Sequence, residues 1–417
     1  MGKTIAEKVL ASHAGRECSP GEIVIASVDF CMSQDGTSMM MIRELENLGF
    51  ERPRSAKGLA MVIDHSSPSP SVDVARIHQR IREFATHWDV PVFDVGEGVC
   101  HQVIPESGKI VPGDLVVGAD SHTCTYGALN ICSTGLGSAD VAAAAFTGKL
   151  WFKVPGTIAV RILGSFQDRV GAKDLVLGII GKMTADGATY KSIEFSGEAI
   201  DSMGIDGRMT IANMSVEMGA KFCPFASDAK TRDWFSSLGK SVGTGVASDE
   251  DATFEKEVPI DVSDLVPKIS RPHRVDDVCD VSDLRDTEVQ QVYLGTCTNG
   301  RVSDIGAAAR ILKDRGVRKG VRMIVAPASR RVYLEAMELG YISQLLKAGA
   351  VFVAPGCGPC VGTHAGIPCD GDNVVSTANR NFKGRMGNNK DVGIYLASPE
   401  TAAASAATGR ITDPREI

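Results

Sequence analysis

A chain of 417 residues with 43% hydrophobic and 23% charged residues has ordinary globular composition, with core enough for roughly two to four domains. Its net charge of −7 provides no basic footprint for nucleic acid, and 6% aromatic residues leave little for base stacking. Eleven cysteines, an odd number thinly spread, speak against a disulfide scaffold and for a reducing cytoplasm. The N-terminal residues carry no secretory apolar region, Ala6 departs from the myristoylation pattern, and no apolar run reaches the 18 or so residues of a membrane span. A cytoplasmic protein without membrane attachment is the expectation.

Strand-like and helix-like runs alternate along the chain, which predicts an α/β fold. A short buried strand is expected over 23–26, then a helix over 37–48 closed by Gly49, and a strand over 59–63 that ends in Asp64-His65. Val74, Ile77, Ile81 and Phe84 recur at helical spacing within 73–88. A strand over 115–119 ends in Asp120-Ser121-His122, and Gly135 and Gly137 lead into an alanine-rich helix over 138–146. Beyond a boundary near Pro155 come strands over 158–162 and 192–195, with helices over 175–183 and 209–218. The acidic, weakly periodic stretch 248–286 reads as a link to a last unit. In that unit strands precede Cys297, Pro327, Cys357 and Asn379, and Ser398-Pro399-Glu400 open a final helix. Three units are expected: 1–153, 154–272 and 273–417.

Asp64, Asp120, Cys297, Cys357 and Asn379 each fall just past the carboxyl end of a strand-like run, the edge where ligands bind in open α/β sheets. Cys357-Gly358-Pro359-Cys360 and Cys297, in Gly295-Thr296-Cys297-Thr298-Asn299, form a candidate three-thiolate face in glycine-containing turns. Zinc or thiol–disulfide exchange would use the same C-x-x-C spacing, and Cys369 is close enough in sequence to close the set as a fourth ligand. The Asp64-His65 and Asp120-His122 neighbours suit acid–base work, although such residues also commonly close strands in turns. His101 has no sequence neighbour that fixes a role. Asn213 and Glu217, four apart, share one face of a helix, pocket or solvent. Arg380 and Arg385 flank a glycine turn and could grip carboxylates bidentately, or form a basic surface loop.

Gly-Thr-Cys-Thr-Asn at 295–299, Cys-Gly-Pro-Cys at 357–360 and Asn-Arg-Asn-Phe-Lys-Gly-Arg at 379–385 resemble signatures of the aconitase superfamily, as do Asp-Ser-His-Thr at 120–123, Asn213-Met214 with Glu217, and Gln34-Asp35. The resemblance implies three α/β/α domains around a cleft that holds one [4Fe-4S] cluster. Cys297, Cys357 and Cys360 match the cluster ligands, which leave one iron open. Asp64 and His65 match the pair that protonates a departing hydroxyl, His101 and Asp120 a second histidine–carboxylate pair, and His122 and Glu217 residues that handle iron-bound water. Gln34, Ser121, Asn213, Arg380 and Arg385 match substrate-binding positions, and Asn379 binds substrate or supports residues that do. Nothing matches the serine base and the arginine of the family's swivelling fourth domain. A separate small subunit is therefore the implied partner, in a heterodimer or heterotetramer. The implied reaction is dehydration and rehydration of a hydroxycarboxylate, foremost 2-isopropylmalate in leucine biosynthesis, with homocitrate- or methylmalate-type acids as alternatives. A cluster-free RNA-binding regulator and a structural zinc protein are the readings from other classes.

Overall fold

The computed structural model describes residues 2–417. Three principal sheets follow one another along the chain. The first is all parallel, in the order Val92–Phe93, Leu59–Val62, Phe30–Gln34, Leu115–Gly118, Cys132–Gly135. Its central strands are buried at every position, as crossover helices on both faces require. One of these helices, Val72–Trp88, is capped by Ser71 Oγ, which accepts from Val74 N, and ends at Asp89 with φ 52°. It turns Ile81 and Phe84 inward together with His78.

The second sheet is parallel and three-stranded: Lys256–Asp261, Thr157–Leu163, Ser192–Ser196. Helices Ala172–Met183 and Ile205–Ser215 belong to the same stretch of chain. The third sheet runs Val278–Asp280, Lys268–Ser270, Gly393–Leu396, Asn373–Ser376, Gln291–Gly295, Arg322–Ala326, Val351–Phe352. Its first two strands are antiparallel additions to a parallel set of five. Against it, alanines let the helices Val302–Leu312 and Pro399–Thr408 pack closely.

Three expectations need correction. The stretch 248–286 is no linker: it supplies the edge strand Lys256–Asp261 to the second sheet and the strands Lys268–Ser270 and Val278–Asp280 to the third. Its strands sit at sheet edges, so solvent-facing charges and Pro259 blur the apolar alternation. Nor is 23–26 buried on both faces. Ile23–Ser27 pairs antiparallel with Lys149–Lys153 in a two-stranded ribbon, leaving Ile23 65% and Ile25 68% exposed. The helix expected over 209–218 starts earlier, at Ile205, and tightens into a 3₁₀ turn over Val216–Met218.

Candidate active site

The carboxyl ends of the first and third sheets face each other across one cavity. Asp64, His65, His101, Asp120, Ser121, His122, Cys297, Cys357, Cys360, Asn379, Arg380 and Arg385 line it. Gln34, Asn213 and Glu217 stand behind this wall, each bonded to a residue in it.

The Asp64-His65 turn is fixed by Asp35, the first residue of helix Asp35–Asn47. Its buried carboxylate accepts the backbone N–H groups of Asp64 (3.2 Å), His65 (2.7 Å) and Ser66 (2.9 Å), and His78 Nε2 lies 3.2 Å away. Burial opposes charge on Asp35, but His78, His65 and these amides hold its pKa down to about 2. Asp64 Oδ2 in turn accepts from Cys100 N at 2.7 Å, which seats the helix Cys100–Glu106 and brings His101 to the cavity. Asp64 O accepts from Cys357 N at 2.7 Å. A side chain at Gly356 would put its Cβ 2.9 Å from that same carbonyl, so glycine is what allows the approach.

Asp120 is the hub of the imidazoles. Its Oδ1 lies 2.7 Å from His101 Nε2 and accepts from His122 N at 2.9 Å; its Oδ2 lies 3.3 Å from His65 Nε2 and 3.5 Å from Gln34 Nε2. His65 Nδ1 is 2.7 Å from Asp64 Oδ1. Burial works against a charged His65, yet the two carboxylates override it and raise its pKa well above the usual value. Asp120, also buried, is held well below the usual carboxylate range by the surrounding histidines. Glu217 Oε1 lies 2.9 Å from His122 Nε2 and accepts from Arg380 Nε at 2.8 Å; these partners outweigh burial and lower its pKa.

Around the thiols the side chains present N–H groups. Asn213 Nδ2 and Asn379 Nδ2 point at Cys297 Sγ from 3.3 and 3.6 Å, and an Arg385 terminal nitrogen at Cys360 Sγ from 3.4 Å. Burial raises the Cys297 thiol to about 11, so deprotonation there needs a metal to drive it. His101 Nδ1, Asn379 Oδ1 and Arg385 Nε are buried with no partner in the protein. Orphaned polar atoms beside three convergent thiols fit a bound inorganic centre and a polar ligand. Ligand-type atoms of His101, Asp120 and His122 gather within 4.8 Å of one another, and so, as a separate group, do those of Asp35, Asp64 and His65. Cys369 is exposed and outside the cavity wall.

The sequence reading missed four residues here. Cys100 lines the cavity, its thiol pushed well above the usual range by burial and by Asp64. Asp35 and His78 hold the Asp64 turn, and Arg301 holds the Cys297 loop. Asp35 entered only as the second residue of the Gln34-Asp35 pair, without a role, and Arg301 lies two residues beyond the Cys-Thr-Asn motif.

The family model described as Aconitase family (aconitate hydratase) matches residues 7–286 and 281–409. The chain belongs to the aconitase family. Among its relatives, "3-isopropylmalate dehydratase large subunit 2" of Archaeoglobus fulgidus is 51% identical and "3-isopropylmalate dehydratase large subunit 1" of Thermotoga maritima 49%, each with 100% of both chains covered. "Probable methanogen homoaconitase large subunit" of Methanosarcina mazei is 47% identical over 94% of this chain and 100% of that one. The holo-form of Thermococcus kodakaraensis aconitase X superposes with a TM-score of 0.52 at 12% identity, covering 93% of this chain and 92% of the other, a likeness of fold alone. No helix among the described residues is long and apolar enough to cross a membrane.

Proposed function

We propose that this aconitase-family chain is the large subunit of a hydro-lyase that interconverts 2- and 3-isopropylmalate by dehydration and rehydration. The observation that carries the reading is one cavity joining three thiols to a carboxylate-bound imidazole that favours its protonated form. The full-length relatives named as 3-isopropylmalate dehydratase large subunits support the substrate. Cys297, Cys357 and Cys360 would hold one [4Fe-4S] cluster, which when bound supplies an open iron as Lewis acid for the hydroxyl.

The chain's own residues then have the following roles. His65, held between Asp64 and Asp120, donates the proton that leaves with the hydroxyl. His101 is oriented by Asp120 through Nε2 and presents its unpartnered Nδ1. His122, paired with Glu217, handles the proton of the departing or returning water. Arg380 and Arg385 grip substrate carboxylate, Gln34, Ser121 and Asn213 help to seat it, and Asn379 positions Cys297 and the ligand together. The base that removes the C–H proton and the arginine for the far carboxylate would come from a separate small subunit. Three units would each contribute to the cleft, the expected 1–153, 154–272 and 273–417 with the last boundary moved back so that strand Lys268–Ser270 joins the third, and the cytoplasm suits a cluster enzyme.

The relative named as a homoaconitase large subunit favours a second reading, a homocitrate-type substrate. The test is anaerobic reconstitution of this chain with its candidate small subunit, assayed on isopropylmalate, homocitrate and citramalate in parallel. Turnover of isopropylmalate well above the others is the expected result; preference for homocitrate would install the second reading. One zinc per chain and no acid-labile sulfide would retire the cluster.

A further inference from the structure

Two basic side chains lie deep in the protein against the loops that carry Cys297 and Asn379, and neither is in an ion pair among the described residues. Arg301 is 1% exposed. Its terminal nitrogens donate to Cys297 O at 2.6 Å and Thr298 O at 2.8 Å, and its Nε to Gln102 Oε1 at 3.0 Å. Lys173, on helix Ala172–Met183, is likewise 1% exposed and donates from Nζ to Thr377 O at 2.7 Å and Ala378 O at 2.6 Å, immediately before Asn379. Every contact partner is a neutral oxygen. Asp304, the carboxylate nearest to hand, is engaged by Asn299 Nδ2 at 3.0 Å and by the backbone N–H of Arg301 at 2.9 Å. Burial raises its pKa to about 7, so it is a weak counter-ion at neutral pH.

A buried cation satisfied only by carbonyls is left with part of its desolvation cost unoffset. Two such side chains, each held by neutral oxygens alone, stand directly behind the loops that carry Cys297 and Asn379. Burial pulls the Lys173 pKa down to about 7, and Asp304, then Cys360 and Cys297, are the negative groups that oppose this loss of charge, so thiolates beside it favour the charged ammonium.

We infer that Arg301 and Lys173 are electrostatic positioning residues, buried cations whose counter-charge is the anionic thiolate-ligated centre itself. Each also pins a loop of the site through its carbonyls. Arg301 ties the Cys297 loop to Gln102, next to His101, and Lys173 ties the Asn379 loop to the second sheet's helix. This rests on the cluster reading above and adds the charge balance that reading leaves open.

The variants Lys173→Met and Arg301→Gln keep approximate shape and remove charge, and Arg301→Lys keeps charge while losing the fork. Two quantities are read on each purified chain: unfolding free energy without iron, and the rate at which a chelator strips iron after anaerobic reconstitution. The neutral variants are expected to match or exceed the native chain in iron-free stability yet to lose iron at least tenfold faster, with Arg301→Lys between. A purely structural role predicts the opposite pattern, loss of iron-free stability with iron release unchanged. That pattern, or native-like release from both neutral variants, overturns the inference alone. A native chain that takes up no iron or acid-labile sulfide overturns the cluster reading and this inference with it.

Discussion

Asp35 shows how much one side chain can fix without touching a ligand. Three backbone amides of the Asp64 turn and His78 converge on its carboxylate. Its pKa falls from the ordinary carboxylate value to about 2 on folding, so its contribution is fully present above about pH 4 and is lost as pH drops toward 2. That contribution is about 2 kcal/mol. Asp35→Asn should flatten this acid limb of urea-melt stability and slow turnover by loosening His65. Among the cavity thiols, Cys297→Ser should abolish iron retention, whereas Cys100→Ser should retain it, because side-chain N–H donors are trained on Cys297 and Cys360; iron and sulfide analysis separates them. The three cluster cysteines were legible because their glycine-containing motifs are specific. The roles of Asp35 and His78 were not, since a carboxylate that binds amides 29 to 31 residues away and a histidine 43 away leaves no local spacing to read.

At the scale of elements, strand ends decide what can meet. Parallel strands Phe30–Gln34, Leu59–Val62 and Leu115–Gly118 bring Gln34, Asp64 and Asp120 to one edge, which the sequence already indicated through apolar runs that end in polar turns. The ribbon Ile23–Ser27 and the edge strands in 248–286 were misread, because exposed or half-paired strands lack the continuous apolar run that marks a central one. Gly135 marks a close approach of two such ends: a Cβ there would stand 2.4 Å from Asp120 O and 2.7 Å from Ser121 Cα. Both are backbone atoms that cannot swing aside. Gly135→Ala should therefore displace the Asp120 turn, cost about 2 kcal/mol in thermal or urea unfolding, and depress kcat more than KM.

For the whole molecule, the site is a joint. Asp64 and Asp120 come from the first sheet, Asn213 from a helix within the second sheet's stretch of chain, and the thiols from the third. A centre bound by Cys297, Cys357 and Cys360 stabilises only the arrangement in which these parts face one another. With the site at a thousandfold excess over its dissociation constant this amounts to about 4 kcal/mol. Removal of iron by chelation should speed hydrogen exchange at residues 64–66, 297–301 and 356–360 while leaving strand Leu115–Gly118 protected. Uniform loosening of all three sheets would contradict that localised effect.

The amide of Cys357 is bonded to the carbonyl of Asp64 across a gap only glycine tolerates. Two loops nearly three hundred positions apart along the chain thus behave as one hinge plate. Neither can gain or lose a residue by drift unless the other changes in step, so length variation among descendants should collect everywhere except at this pair.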